Sequence, residues 1–163
     1  MTRSCAVPRR YDRSPHRSRG LAAVEFVITA PLLIFILLAG AEFGRAFVQY
    51  ATLSLSVRNS ARYVTEHAIN GTTGVVSLTG AVITAAQRLA VYGNTAGSGA
   101  AKLPNYQIGQ VVVVDAGSDN IRVTATYPYR PMLGATLPTF GLGNGPIPLN
   151  FNMRIAVTMR AIS

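Results

Sequence analysis

Side chains that bind metals or form cross-links are scarce in this sequence. It has one cysteine, two histidines and no tryptophan among 163 residues. The single cysteine, Cys5, cannot form an intramolecular disulfide. His16 lies in a basic N-terminal segment, and His67 stands alone on a helical segment. We therefore expect neither a disulfide framework nor a metal site.

Acidic side chains are also few, and five of the six follow residue 20. They form no pair suited to acid–base catalysis. The chain has neither a Ser/His/Asp set nor a glycine loop of the kind that binds phosphate. These absences predict a protein that is not an enzyme and that has no cofactor and no small-molecule substrate.

The basic charge is concentrated at the N-terminus. The net charge is +9, but six of the fifteen basic residues precede residue 21, together with one acid, Asp12. Residues 1–20 thus carry +5, which leaves +4 on the rest of the chain. That remainder is scattered singly, without a Lys/Arg cluster or an aromatic platform, so we expect no nucleic-acid partner.

Residues 1–20 and 21–41 contrast in composition. The first segment is rich in Arg, Ser and Pro and is interpreted as a cytoplasmic leader. The second is apolar and, at about 20 residues, would span roughly 30 Å as a helix, which matches the hydrocarbon core of a bilayer. The positive-inside rule predicts a cytoplasmic N-terminus and an extracytoplasmic C-terminal part.

Two residues of the apolar segment are unusual there. Glu25 must lie inside the segment for the helix to span comfortably, and a carboxylate near the membrane boundary costs free energy unless it reaches water or a partner. It either extends to the headgroups or has a specific function. Pro31 removes one backbone hydrogen bond, and we expect a kink there.

A signal peptide is an alternative interpretation of the same segment. Residues 39–41 read Ala-Gly-Ala, which resembles a signal-peptidase site. Cleavage after Ala41 would release a secreted, β-rich domain that begins at Glu42. The helical pattern that continues beyond Ala41 argues against this alternative.

Residues 42–69 continue as an amphipathic helix. Apolar and small residues recur in steps of three and four, which predicts one unbroken helix from Leu21 to Ala68, stopped at Asn70-Gly71. Glu42 and Arg45 are three residues apart, where the helix would meet the outer headgroups; they can form an ion pair or be solvated independently. The predicted stripe consists of Phe43, Phe47, Tyr50, Ser54, Val57, Ala61, Val64 and Ala68, with Arg45, Gln49, Ser56, Asn59 and Glu66 mostly off it.

Residues 70–163 are predicted to form an extracytoplasmic α+β domain. A short second helix is expected at Ala81–Tyr92, with Thr79 at its start and Gly93-Asn94 at its end. Alternating side chains predict antiparallel strands that pack against the long helix. The expected strands are a short one at Val75–Leu78, then Ile108–Val114, Ile121–Tyr127 ended by Pro128, and Ile147–Ala161.

The stretch RGLAAVEFVITAPLLIFILLAGAEFGR, residues 19–45, resembles the N-terminal signature of TadE-like proteins. These are pseudopilins or minor pilins of the Tad (tight adherence, Flp pilus) system. The resemblance rests on Gly20 followed by Glu25 and Phe26, on Pro-Leu-Leu at 31–33, and on Glu-Phe-Gly-Arg at 42–45. It implies a pilin-like fold with one long N-terminal helix.

The resemblance also implies partners and a processing site. A prepilin peptidase would cut between Gly20 and Leu21. The new α-amino group of one subunit could then pair with Glu25 of a neighbour and set the register of assembly, with Phe26 beside it. The implied partners are the peptidase, other pilins or pseudopilins, the Tad platform of the bacterial inner membrane, and membrane lipid.

Three functional hypotheses remain in view. The first is a pilin-like assembly subunit, the second a secreted domain that begins at Glu42, and the third a single-pass anchor for an unrelated extracytoplasmic binding domain. Their mature N-termini differ.

Overall fold

The computed structural model describes residues 16–69, 76–132, 134–137 and 145–161. Its contacts divide the chain into two compact units, Met1–Gly40 and Ala41–Ser163. Most of the basic leader, the predicted helix stop at Asn70-Gly71 and the middle of the stretch between Pro131 and Pro146 lie outside the described residues.

The long helix, α1, comprises His16–His67 and confirms the predicted helix, although it begins five residues earlier than Leu21. Pro31 lies within α1, and the helix does not end there. The expected kink at Pro31 stays a prediction. By length and composition α1 could cross a membrane, and none of the residues in its most apolar stretch is buried.

The buried face of α1 in the second unit differs from the predicted stripe. Its C-terminal half is as expected, because Val57, Ala61, Val64 and Ala68 are buried. The first part of the prediction is wrong, since Phe43 and Phe47 are 78% and 67% exposed and Tyr50 is also exposed. The buried side chains at this level are instead Gln49, Leu53, Ser56 and Ser60.

Hydrogen bonds explain how two serines can lie on the buried face. The Ser60 hydroxyl donates to the carbonyl of Ala86 at 2.9 Å, and the Ser56 hydroxyl donates to the carbonyl of Leu53 at 2.8 Å. A buried hydroxyl costs little when its hydrogen bond is made. Small polar residues can therefore face the core where a second helix packs closely.

That second helix, α2, comprises Gly80–Tyr92 and confirms the prediction within one residue. The Thr79 side chain accepts a hydrogen bond from the Val82 amide at its start. Gly93 ends the helix in the left-handed conformation, with φ of +83°, which favours glycine. Near the predicted strand at Val75–Leu78, the described residues form an isolated bridge between Ile69 and Val76 instead.

The sheet has three antiparallel strands in the order β1-β2-β5. β1 comprises Val111–Gly117, β2 Asn120–Tyr129 and β5 Phe151–Arg160. A separate two-stranded sheet pairs β3, Thr136–Leu137, with β4, Ile147–Pro148.

Three predicted strand boundaries are wrong. Ile108–Gln110 is a short 3-10 helix before β1. The hairpin turn is tighter than the predicted strand ends at Val114 and Ile121 imply, because β1 continues to Gly117 and β2 begins at Asn120. β2 also continues through Pro128, which pairs with Asn152. The pairing of β1 with β2 extends only to Ala125, so Pro128 has a neighbouring strand on one side only. Proline is tolerated at such a position.

The predicted strand Ile147–Ala161 is also interrupted. Ile147 and Pro148 pair with β3, and the Leu149 amide donates to the Ala135 carbonyl at 2.9 Å. The residues before Phe151 therefore pair with β3, whereas β5 pairs with β2. Alternation alone could not reveal this change, because the apolar pattern continues across it.

Residues from α1, α2, β1, β2 and β5 form one hydrophobic core cluster in the second unit. The inward face of β2 alternates as predicted, with Ile121, Val123, Ala125, Tyr127 and Tyr129 buried. The fold is therefore α+β, with a long N-terminal helix, a short second helix and a small antiparallel sheet.

Leu53 and Leu55 test the position of the buried face of α1. Leu53 is fully buried and Leu55 is 61% exposed. We expect Leu53→Ala to lower the free energy of unfolding by about 2–5 kcal/mol, because it leaves a cavity. Leu55→Ala should change it by less than about 0.5 kcal/mol. Denaturant unfolding of the detergent-solubilised full chain measures both; equal losses would contradict the assigned face.

Candidate functional site

Glu42 lies near the start of the second unit, on α1, and its side chain is 11% exposed. Its Oε1 atom accepts a hydrogen bond from the Tyr129 hydroxyl. The amide N–H of Met132 donates to the same carboxylate, at 3.2 Å from Oε1 and 3.3 Å from Oε2. One helix residue thus binds both the end of β2 and the segment that follows it.

Arg45 lies one turn further along α1 and contacts the same part of the chain. Its Nε atom is 3.7 Å from Oε1 of Glu42. One terminal nitrogen of its guanidinium donates to the Arg130 carbonyl, and the guanidinium carbon lies 5.6 Å from the centre of the Tyr129 ring. A cation over an aromatic face adds a modest attraction to the ion pair.

We name Glu42, Arg45, Tyr129, Arg130 and Met132 the helix–strand cluster. It connects the helix to β2 through polar groups at the point where the buried apolar face has not yet begun. The Tyr129 ring also packs against Phe151 of β5, with ring centres 5.1 Å apart. The cluster therefore links α1 to two strands of the sheet.

The phenol of Tyr129 is held in its neutral, donating form. Burial raises the pKa of Tyr129, and the hydrogen bond to Glu42 raises it further, whereas Arg45 acts in the opposite direction. Burial also raises the pKa of Tyr127, whose hydroxyl donates to the Pro104 carbonyl at 3.0 Å. At neutral pH both hydroxyls are therefore donors to fixed oxygen atoms.

The sequence indicates part of this cluster. The spacing of Glu42 and Arg45 predicts that they can meet, and the structure places them together. Tyr129, Arg130 and Met132 are missed because they lie 85 to 90 residues away in the chain. No local pattern indicates contacts of that range.

The other predicted site residues lie in the first unit. Gly20 is helical, and no described atom lies within 4 Å of the position a Cβ would take there. The fold itself therefore does not require glycine at residue 20. Leu21, Glu25 and Phe26 are exposed on α1, and the Thr29 hydroxyl donates to the Glu25 carbonyl at 2.9 Å.

Within the part of the chain that the structure describes, no three His, Cys, Asp or Glu side chains converge on a metal-sized site. The contacts of the helix–strand cluster hold elements of the fold together. Hydrogen bonds and a partly buried ion pair fix α1 against the end of β2.

Replacing Glu42 tests whether the helix–strand cluster stabilises the domain. Glu42→Gln keeps the size of the side chain but leaves Arg45 without its ion pair, so we expect unfolding to cost about 1–3 kcal/mol less. Arg160→Gln is the control, because Arg160 pairs with Asp119 at 4.0 Å and is 74% exposed. That change should cost about 0–1 kcal/mol.

Thermal and denaturant unfolding of the two full-length variants gives the comparison. Stability of Glu42→Gln equal to that of Arg160→Gln would mean that the helix–strand cluster contributes no more than a surface ion pair.

Comparison with protein families links this region to a known group. Residues 20–62 match the family model described as TadE-like protein. Comparison with curated proteins and with solved structures gave no significant match. The matched residues include the apolar segment, Glu25 and the Glu42–Arg45 pair, and the TadE-like family is associated with the Tad pilus. The similarity to TadE-like proteins thus covers residues 20–62 of the chain.

Proposed function

We propose that this protein is a minor pilin or pseudopilin of a Tad (Flp) type pilus or a related secretion machine. It has no enzymatic role in this proposal. One observation carries the proposal: the TadE-like match coincides with a helix whose large apolar side chains are exposed. These side chains include Leu21, Val24, Phe26, Val27, Ile28, Leu32, Leu33, Ile34, Ile36, Leu37 and Leu38.

An exposed apolar helix needs an apolar environment that its own chain does not supply. Removing apolar surface from water contributes about 25 cal/mol per Å². Lipid or the equivalent helices of neighbouring subunits can provide that environment. A protein that first resides in a membrane and then assembles through this helix is surrounded first by lipid and then by the helices of its neighbours.

The basic leader supports a single orientation in the bacterial cytoplasmic membrane. Its charge of +5 favours a cytoplasmic N-terminus, which puts the α+β domain outside. A prepilin peptidase on the cytoplasmic side then cuts between Gly20 and Leu21. Glycine suits such a cut because it enters an extended protease groove without a side chain. The fold itself would accommodate a side chain at residue 20, so packing does not account for the glycine.

Glu25 acquires a role once Leu21 is the N-terminus. The two residues are about one helical turn apart, so an α-amino group and a carboxylate lie near the same end of each subunit. The amino group of one subunit can pair with Glu25 of its neighbour, which neutralises both charges in a medium of low dielectric. That pairing fixes the axial register of assembly.

The secreted-domain alternative requires a cut after Ala41, within the continuous helix α1. The division between the two units falls between Gly40 and Ala41, one residue from the signal-peptidase site considered above. Cleavage after Ala41 would make Glu42 the first residue. It would place an α-ammonium group beside the carboxylate that binds Tyr129 and Arg45. The alternative assigns no role to Glu25.

Glu25→Ala is the mutation that tests the assembly role. We expect the variant to insert in the membrane normally but to lose most pilus assembly. Without Glu25, the α-amino group of the neighbouring subunit has no carboxylate to pair with in the apolar region. Glu66→Ala is the matched control, since Glu66 is an exposed acid on the same helix. Membrane fractionation and counting of pili in a strain that lacks the native copy measure both steps.

Normal piliation with Glu25→Ala would refute the pairing. Loss of insertion would also contradict it, because the carboxylate would then be needed before assembly.

A further inference from the structure

The end of the second unit that carries the helix–strand cluster exposes large apolar side chains. Phe43, Phe47 and Tyr50 project from α1, and Phe151 lies at the start of β5. We name these four residues the apolar rim. Met132, a member of the helix–strand cluster, is exposed as well.

The apolar rim is a continuous surface. A shallow groove of about 350 Å³ lies between α1 and β5, and its lining includes all four rim residues together with Met153. β5 is an edge strand of the sheet, and no strand among the described residues pairs with its free edge. Contiguous apolar surface rimmed by polar groups marks an interaction site on a folded domain.

Positive charge flanks the apolar rim. Arg154 lines the groove, and Arg130 lies next to Tyr129 at the end of β2; both are exposed. Glu42 is the acid at this end, and it is already paired with Arg45.

The remaining acids of the second unit lie far away. Asp115 and Asp119 are at the opposite end of β2, where Asn120 pairs with Arg160, whereas Tyr129 pairs with Phe151. These two pairs are nine residues apart along β2, which corresponds to roughly 30 Å. Glu66 lies 24 residues beyond Glu42 on α1, or about 36 Å along the helix. Apart from the ion-paired Glu42, the acids of the second unit thus lie away from the apolar rim, where Arg130 and Arg154 have no acid beside them in the sequence.

Two residues of the apolar rim, Phe43 and Phe47, follow the apolar segment closely along α1. Phe43 follows Ala41 by two residues in the same helix, which is a rise of about 3 Å. Aromatic rings and arginines are the side chains that favour the boundary between hydrocarbon and headgroups. A bilayer that holds residues 21–41 therefore has its boundary close to Phe43 along α1.

We propose that this end of the domain lies on the outer surface of the bilayer, with Phe43, Phe47 and Phe151 in the interfacial layer. Arg130 and Arg154 bind the phosphates of anionic lipids. The proposal rests on anchorage by α1 and does not require the protein to form a pilus. A second copy of the chain is the competing occupant, but neither the charge nor the position of the apolar rim points to one.

The absence of tryptophan from the chain allows a direct test. Phe151→Trp introduces a single indole into the apolar rim, and Val112→Trp introduces one on β1 at a site of equal exposure, 51% and 52% respectively. Each full-length variant is reconstituted in vesicles of phosphatidylcholine and phosphatidylglycerol. Tryptophan emission is recorded with and without brominated phosphatidylcholine as a quencher.

We expect the Phe151→Trp emission to shift to shorter wavelength and to lose most of its intensity to the brominated lipid, whereas Val112→Trp shows neither change. Quenching should weaken when phosphatidylglycerol is omitted. Equal behaviour of the two variants, or quenching that does not depend on phosphatidylglycerol, overturns the proposal. A blue shift without lipid quenching that disappears on dilution of the protein assigns the apolar rim to a second copy and also overturns it.

A second pair of variants on α1 guards against local misfolding. Phe47→Trp lies in the apolar rim, and Leu55→Trp is exposed two turns further from the apolar segment. The same difference in quenching is expected between them, and its absence contradicts the proposal.

Discussion

Helix α1 has to satisfy two environments along one backbone, and the rest of the structure depends on where it changes from one to the other. Up to Ala41 its large apolar side chains face outward, and from Leu53 onward one face is fully buried in the core. Glu42 and Arg45 lie between these two parts. Their hydrogen bonds with Tyr129, Met132 and Arg130 attach the sheet to the helix before apolar contact begins.

This arrangement explains why a charged pair lies beside an apolar segment. An isolated carboxylate here would favour water over contact with the sheet. Paired with Arg45 and accepting two donors, Glu42 can be mostly buried without that loss. The aromatic rings next to the pair stay exposed, and in our proposals lipid surrounds both the apolar segment and the apolar rim.

Local chemistry predicted those parts of the fold that depend on neighbours in the chain. Thr79 and Gly93 define α2, and alternation along β2 identifies its buried face. Long-range packing decided the rest. Phe43 and Phe47 fit the helical period of the core, but the buried face of α1 is the adjacent one. On that face the Ser60 hydroxyl donates to α2, and the Ser56 hydroxyl donates within α1. Likewise, nothing near Glu42 in the sequence indicates Tyr129. Pro128 can continue β2 because β1 begins opposite Ala125 and does not pair with Pro128.

The mature N-terminus tests the central claim most directly, because the three functional hypotheses each require a different one. Intact-mass measurement and N-terminal sequencing of the protein recovered from membranes would determine it. Our account predicts a chain that begins at Leu21, with Glu25 one turn from the new α-amino group. A chain that begins at Glu42, or one that retains the basic leader, would contradict it.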